Sequence, residues 1–156
     1  MQLSSIMPVL NMFEERLNVA NGFSVKIRSA KEWLKVSYKV SGDSVYELIQ
    51  SNEAYKGVTA AKTIDIRYVT EDVPTGLVPI YELGKAVGVP TPNIDAGITI
   101  LSTVYGHDFR KEGRNLEDLG IKDMDKTSLM HYFETGKRLE FLITNRSLTN
   151  NSRVIN

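Results

Sequence analysis

An all-α fold is predicted for this chain, and three observations predict it. Apolar residues recur at helical spacing along most of the sequence. Two Ser-x-x-Glu boxes and a series of glycines mark helix starts and stops. Only Val25–Ile27 and Phe141–Ile143 read as strand, and both are too short to build a sheet.

From Met7 to Ala20, Val9, Leu10, Phe13, Leu17 and Ala20 share one helical face, with Glu14, Glu15 and Arg16 largely on the other. Asn21-Gly22 is a natural stop. Ser29-x-x-Glu32 opens a short helix through Trp33, Leu34 and Val36, and Ser44-x-x-Glu47 opens another with Val45, Leu48 and Ile49 inward. After a turn at Tyr55-Lys56-Gly57, residues Thr63 to Thr70 can continue as helix. A longer element follows from about Val73 to Val87, bent or restarted at Pro79 and closed at Gly88. Thr91 or Asn93 then caps a helix through Ile94, Ile98, Leu101 and Val104 that ends at Gly106. Residues 113–120 read as a single short turn of helix, Asp125 to Thr135 as a last helix stopped by Gly136, and the Asn/Ser-rich stretch from Thr144 as a frayed tail.

Composition narrows the function classes. The 156 residues suffice for one domain with a core, and 42% apolar with 24% charged content is ordinary for a globular chain. Nineteen basic and nineteen acidic residues cancel, so no overall field draws nucleic acid or an anionic membrane. The absence of cysteine excludes disulfides and thiolate metal sites, and no apolar run approaches the ~20 residues of a membrane span. The expectation is a cytoplasmic protein. No Gly-x-Gly-x-x-Gly turn, P-loop, His-Glu-x-x-His pair or nucleophile elbow occurs in the sequence.

The segment Arg67 to Pro79 stands out, because it sets an arginine and two acids beside two prolines in an apolar surround. Arg67 and Glu71 are four apart, which makes an intrahelical ion pair the simplest reading. Val73 precedes Pro74 and is biased away from helical geometry, so Asp72 can cap the helix that follows. The alternative is chemical. Arg67 would grip an anionic substrate through its planar fork, and Asp72 would orient a basic side chain. Pattern alone leaves both open.

The stretch also resembles a segment of the opine (octopine/nopaline) dehydrogenases, in the order Arg67-Tyr68, Glu71-Asp72-Val73-Pro74 and Gly76-Leu77-Val78-Pro79. Upstream, Glu15-Arg16-Leu17, Trp33-Leu34, Tyr38, Tyr46-Glu47 and Tyr55-Lys56-Gly57 are similar to the family's preceding helices. Downstream, Leu83-Gly84, Gly88 through Pro92, Ile94-Asp95 and Gly113 through Gly120 continue the likeness, which runs from about residue 10 to residue 121.

In that family a Rossmann domain binds NAD or NADP, and a following helical domain, of the type that ends 6-phosphogluconate dehydrogenases, binds the substrates. The reaction joins an amino acid and a 2-oxo acid such as pyruvate as an imine, which is then reduced. The resemblance implies that Arg67 binds the 2-oxo acid carboxylate and that Asp72 pairs with the catalytic histidine. A histidine suits that role because it titrates near neutrality and a carboxylate fixes its tautomer. The family's histidine lies upstream of the Arg-Tyr segment. His107 and His131 lie downstream of it and do not match the motif.

The resemblance therefore implies an amino-terminally truncated substrate-binding domain over residues 1–143, a tail at 144–156, and an absent Rossmann domain. Such a chain is expected to be inactive alone and to need a nucleotide-binding domain or chain. Phe13, Leu17, Trp33 and Leu34 are expected to be left exposed and to favour self-association. A helical interaction or dimerisation module without catalysis is the competing expectation. A related dehydrogenase of glycerol-phosphate or hydroxyacid type is disfavoured by the segments Glu71–Pro74 and Val89–Pro92.

Overall fold

The computed structural model describes residues 7–59 and 61–139, and every regular element among them is helical. The predicted all-α class holds. Val25–Ile27 is not a strand, while Phe141–Ile143 and the tail at 144–156 lie outside the described residues. No helix among the described residues is long and apolar enough to cross a membrane.

Helix α1 (Met7–Gly22) packs on α5 (Val78–Ala86) and α6 (Pro92–Tyr105). It ends at Gly22 as expected, but Ser24, with φ 62°, takes the left-handed turn. Helix α2 (Ala30–Tyr38) begins at the predicted capping box. Ser29 Oγ accepts from Glu32 N at 3.2 Å, and Glu32 Oε2 accepts from Ser29 N at 2.8 Å.

Helix α3 (Val45–Gln50) departs slightly from its prediction. Ser44 caps Glu47 N at 3.1 Å, while the Glu47 carboxylate reaches one residue further back, to Asp43 N at 2.7 Å. Of the residues assigned inward, Leu48 is buried while Val45 and Ile49 are half-buried; of those expected to be exposed, Phe13 is, but Leu17 is half-buried and Leu34 is buried, which corrects the expectation for Leu34. Trp33 is exposed as expected, and so is Val36, because the nine-residue α2 packs mainly on α3 and has too little partner surface to cover a wide stripe.

The helix expected over Thr63 to Thr70 is only one turn long. Residues 62–64 bend, Ile66 is extended, and α4 spans Arg67–Thr70. Beyond α6, a one-turn helix that the periodicity did not reveal, α7 (Phe109–Glu112), is capped by Asp108. Helix α8 (Lys126–Thr135) runs as predicted from its Asp125 cap to Gly136, which has φ 69°.

Two apolar clusters hold these elements. Val19, Phe23, Leu116, Ile121 and Leu129 form one, and Val73, Val78, Ile94, Ile98 and Phe109 form the other. Ile80 of α5 packs against both and ties them together. Close approach matters at Gly84, where a Cβ would stand 2.9 Å from the Val89 carbonyl oxygen and 3.2 Å from Val19 Cγ2. A side chain there would push α5 from α1.

The start of α6 is held in an unexpected way. Thr91 takes the cap position but its side chain caps nothing. Instead Glu15, buried on α1, accepts from Asn93 N at 2.8 Å and from Ile94 N at 2.9 Å, and its Oε1 also lies 2.6 Å from Asn93 Nδ2. The expectation that Glu15 faces water is therefore corrected. A carboxylate is stable in this place because the free N–H groups and the positive end of the helix dipole meet it.

Candidate functional site

The segment Arg67–Pro79 forms α4, a single π-helical turn (Val73–Leu77) and the start of α5, as one nearly continuous helical run. Two prolines explain the π turn. Each lacks an N–H, and each ring crowds the carbonyl four residues earlier, which for Pro79 is that of Thr75. The chain widens between them, and the Val78 N–H reaches Val73 O, five residues back. Thr75 Oγ1 donates to Glu71 O at 2.8 Å and ties the widened turn to α4.

The inner side of the turn is fixed. Val73 and Val78 are buried against Ile94, Ile98 and Phe109. The backbone is also latched from α7, since Arg114 N donates to Pro74 O at 2.9 Å. Gly113 permits that approach, because a Cβ there would lie 2.6 Å from Phe109 O, 2.8 Å from Pro74 O and 3.0 Å from Pro74 Cα. The sequence shows Gly113 but not what lies against it.

The outer side is open. Arg67 Nε pairs with Glu71 Oε2 at 3.0 Å, with the arginine side chain 81% exposed. The intrahelical ion pair read from the spacing is thus present. Its Nη groups make no hydrogen bond among the described residues, so the two-pronged end of the guanidinium is available to a carboxylate.

Asp72 is exposed and makes no capping bond. Its predicted place at a helix break is corrected: Asp72 has helical φ and ψ of −71° and −28°, and Val73 stays helical despite preceding Pro74. Buried packing of Val73 against the second cluster outweighs the local bias. Arg67 and Asp72 are thus both exposed on the helical run that leads into the π turn, the rim of this segment, and two cavities found elsewhere in the molecule include neither.

The histidines stand apart from this rim. His107 is exposed, stacks on Phe109 at 5.9 Å and lies 3.0 Å from Glu112 Oε2 through Nδ1. His131 is half-buried on α8. Neither bonds Arg67 or Asp72.

A second polar cluster, centred on Arg110, was not predicted. Arg110 pairs with Asp95, donates to Asp95 O and to Thr99 Oγ1, both at 2.9 Å, and sits 5.3 Å over the Tyr81 ring. Asp95 and Thr99 are one turn apart on α6, the single signal the sequence offered; their partner fifteen residues on was invisible to it. This cluster joins α5, α6 and α7.

A dinucleotide is held where a strand turns through glycines into a helix N-terminus. The described residues contain no strand and no such turn.

Residues 4–105 match the family model described as NAD/NADP octopine/nopaline dehydrogenase, alpha-helical domain. The chain is 47% identical over 110 residues to an opine dehydrogenase of Arthrobacter sp. (strain 1C), covering 70% of this chain and 31% of that protein. It is 27% identical over 117 residues to a protein ocs of Agrobacterium vitis, covering 75% of this chain and 33% of the relative. Identity to an octopine dehydrogenase of Mizuhopecten yessoensis is 36% over 78 residues, 44% of this chain and 20% of the relative. The chain spans about a third of the length of the first two. The helical architecture and these matches agree, and the chain belongs to the NAD/NADP-dependent octopine/nopaline dehydrogenase family, whose α-helical domain it carries.

Proposed function

We propose that this chain is the substrate-binding helical part, over residues 1–143, of a cytoplasmic opine dehydrogenase that condenses an amino acid with a 2-oxo acid such as pyruvate. The amine and the ketone lose water to form an imine, and reduction gives a secondary amine. The observation that carries the reading is that Arg67 and Asp72 are both exposed just before a latched π turn, within a segment that matches this family.

In this reading the free Nη groups of Arg67 hold the 2-oxo acid carboxylate by two parallel hydrogen bonds. Asp72 fixes the tautomer of a histidine supplied from outside this chain and stabilises its charged form while it moves the amine's proton. The Asp72 carboxylate makes no hydrogen bond among the described residues, which leaves it for that partner. The reduction draws on NAD(P)H held by a nucleotide-binding domain or a separate chain, and the residues here do not hold it. A surface rim becomes a water-poor site only when a second body closes over it, which is why the chain alone is expected to be inactive.

The test combines the chain with a nucleotide-binding domain from a relative and follows NAD(P)H oxidation with pyruvate and a panel of amino acids. Arg67→Ala should raise KM for the 2-oxo acid at least about tenfold with helicity unchanged, and Asp72→Asn should lower kcat. Turnover by the unaccompanied chain would overturn the placement of the cofactor elsewhere.

A non-catalytic helical interaction module is the second reading, favoured by the exposed Arg67–Glu71 pair and by exposed Phe13 and Trp33. It gains if Arg67→Ala changes only stability and if the chain self-associates as concentration rises.

A further inference from the structure

We propose that the groove between α1, the 23–29 connection, α2 and α3 is a binding site for a small amphipathic carboxylate: a molecule with an aromatic or aliphatic body and one anionic end. The groove measures about 700 Å³, within the range of small-molecule sites. None of its lining comes from residues 56–139, so it is separate from the Arg67–Asp72 rim and does not depend on the function proposed for that rim.

Its apolar surface comes from Phe13, Ile27, Trp33, Ile49 and Tyr55. Three of these are open to solvent although large, with Trp33 45%, Phe13 38% and Ile27 37% exposed. Water held over such a concave aromatic surface is released when an apolar body enters.

Charge decides what kind of body enters. Arg16, Lys26 and Arg28 line the groove, and no acid does. Lys26 forms no ion pair or hydrogen bond among the described residues, and Arg16 makes one hydrogen bond, from Nη2 to Arg28 O at 3.0 Å. The neighbouring acid, Glu32, lines the smaller cavity alongside and is engaged by both Ser29 N and Ser29 Oγ at 2.8 Å. Three cations around an apolar floor match a ligand of the same construction. An inorganic anion would leave the aromatic surface wet, and a neutral hydrophobe would leave Arg16 and Lys26 without a counter-charge, Arg28 alone having Glu32 beside it in the adjoining cavity.

Trp33 is the sole tryptophan of the chain, so its fluorescence reports on the groove directly. The experiment titrates the full chain with 3-phenylpropionate and, in parallel, with 3-phenylpropionamide, which has the same shape without the charge. A saturable change in Trp33 emission is expected with the acid, with the amide at least about tenfold weaker. Lys26→Gln and Arg28→Gln, both at exposed positions, should each weaken the acid about threefold, while Arg67→Ala leaves it unchanged. No saturable change, equal affinity for acid and amide, or loss of binding in Arg67→Ala would each overturn the proposal. The last result would assign the carboxylate to the Arg67 rim, whereas failure of the rim's own assay leaves the groove result standing.

Discussion

Glu15 and Asp72 are both acids on helices, and the molecule uses them in opposite ways. Glu15, read from periodicity as a surface residue, is buried and closes the open N–H groups of α6. Asp72, read as a cap or a site residue beside a proline, is exposed and caps nothing. A carboxylate's role is thus set by the N–H groups the fold brings to it. For Glu15 these groups lie 78 and 79 residues away, beyond the reach of any local pattern. An acid that the fold leaves without a partner is the one free to meet a ligand or a second protein.

The sharpest way to break this contrast is Glu15→Ala. Removing three hydrogen bonds from a buried helix start should cost about 2–4 kcal/mol, read as a lower denaturant midpoint at unchanged m-value. Gly113→Ala should come next, at about 2 kcal/mol, because the added methyl meets backbone that cannot swing aside. It should also loosen the π turn, seen as faster amide exchange at Arg114, whose N–H bonds Pro74 O. Ser44→Ala removes one cap and should cost about 1 kcal/mol in thermal unfolding. Asp72→Ala should stay within about 0.5 kcal/mol of the parent, since it breaks no bond. A larger loss at Asp72 than at Glu15 would erase the distinction.

Two other acids sharpen the comparison through pH. Ser128 N–H holds the Asp125 carboxyl below its ordinary range, and Ser29 does the same for Glu32. A depressed folded-state pKa means that these caps contribute fully above the unfolded carboxylate range, near pH 4, and that the contribution fades as pH falls through the folded values. Both carboxyls lie in water, so the expected effect is a small loss of helicity below pH 4. Asp125→Asn should flatten that part of the profile.

Helix identity was legible wherever the cause is local. Ser29 and Asp125 announce helix starts because their side chains bond N–H groups three residues on. Gly106 and Gly136 announce stops because they take φ of 67° and 69° without a Cβ penalty. The Arg67–Glu71 pair was legible for the same reason. The helix over Thr63 to Thr70 was overextended, because β-branched Thr63, Ile64 and Ile66 share a helical pattern with an extended one. The π turn was half legible: two prolines foretold an irregularity, but only burial of Val73 and Val78 made it a widened helix rather than a break.

The sequence by itself therefore determined that the chain is helical, where most helices begin and end, and which segment carries the family's signature. Those features rest on interactions within about four residues, which a linear pattern contains. The tertiary structure alone decided that Glu15 is a buried cap, that Gly113 and Arg114 latch the Pro74 turn, and that Leu34 is covered while Trp33 is not. It also decided that three cations and an aromatic floor share one groove. Each depends on surfaces far apart in the chain meeting at ångström distances, and packing selects that arrangement among many that the same pattern allows.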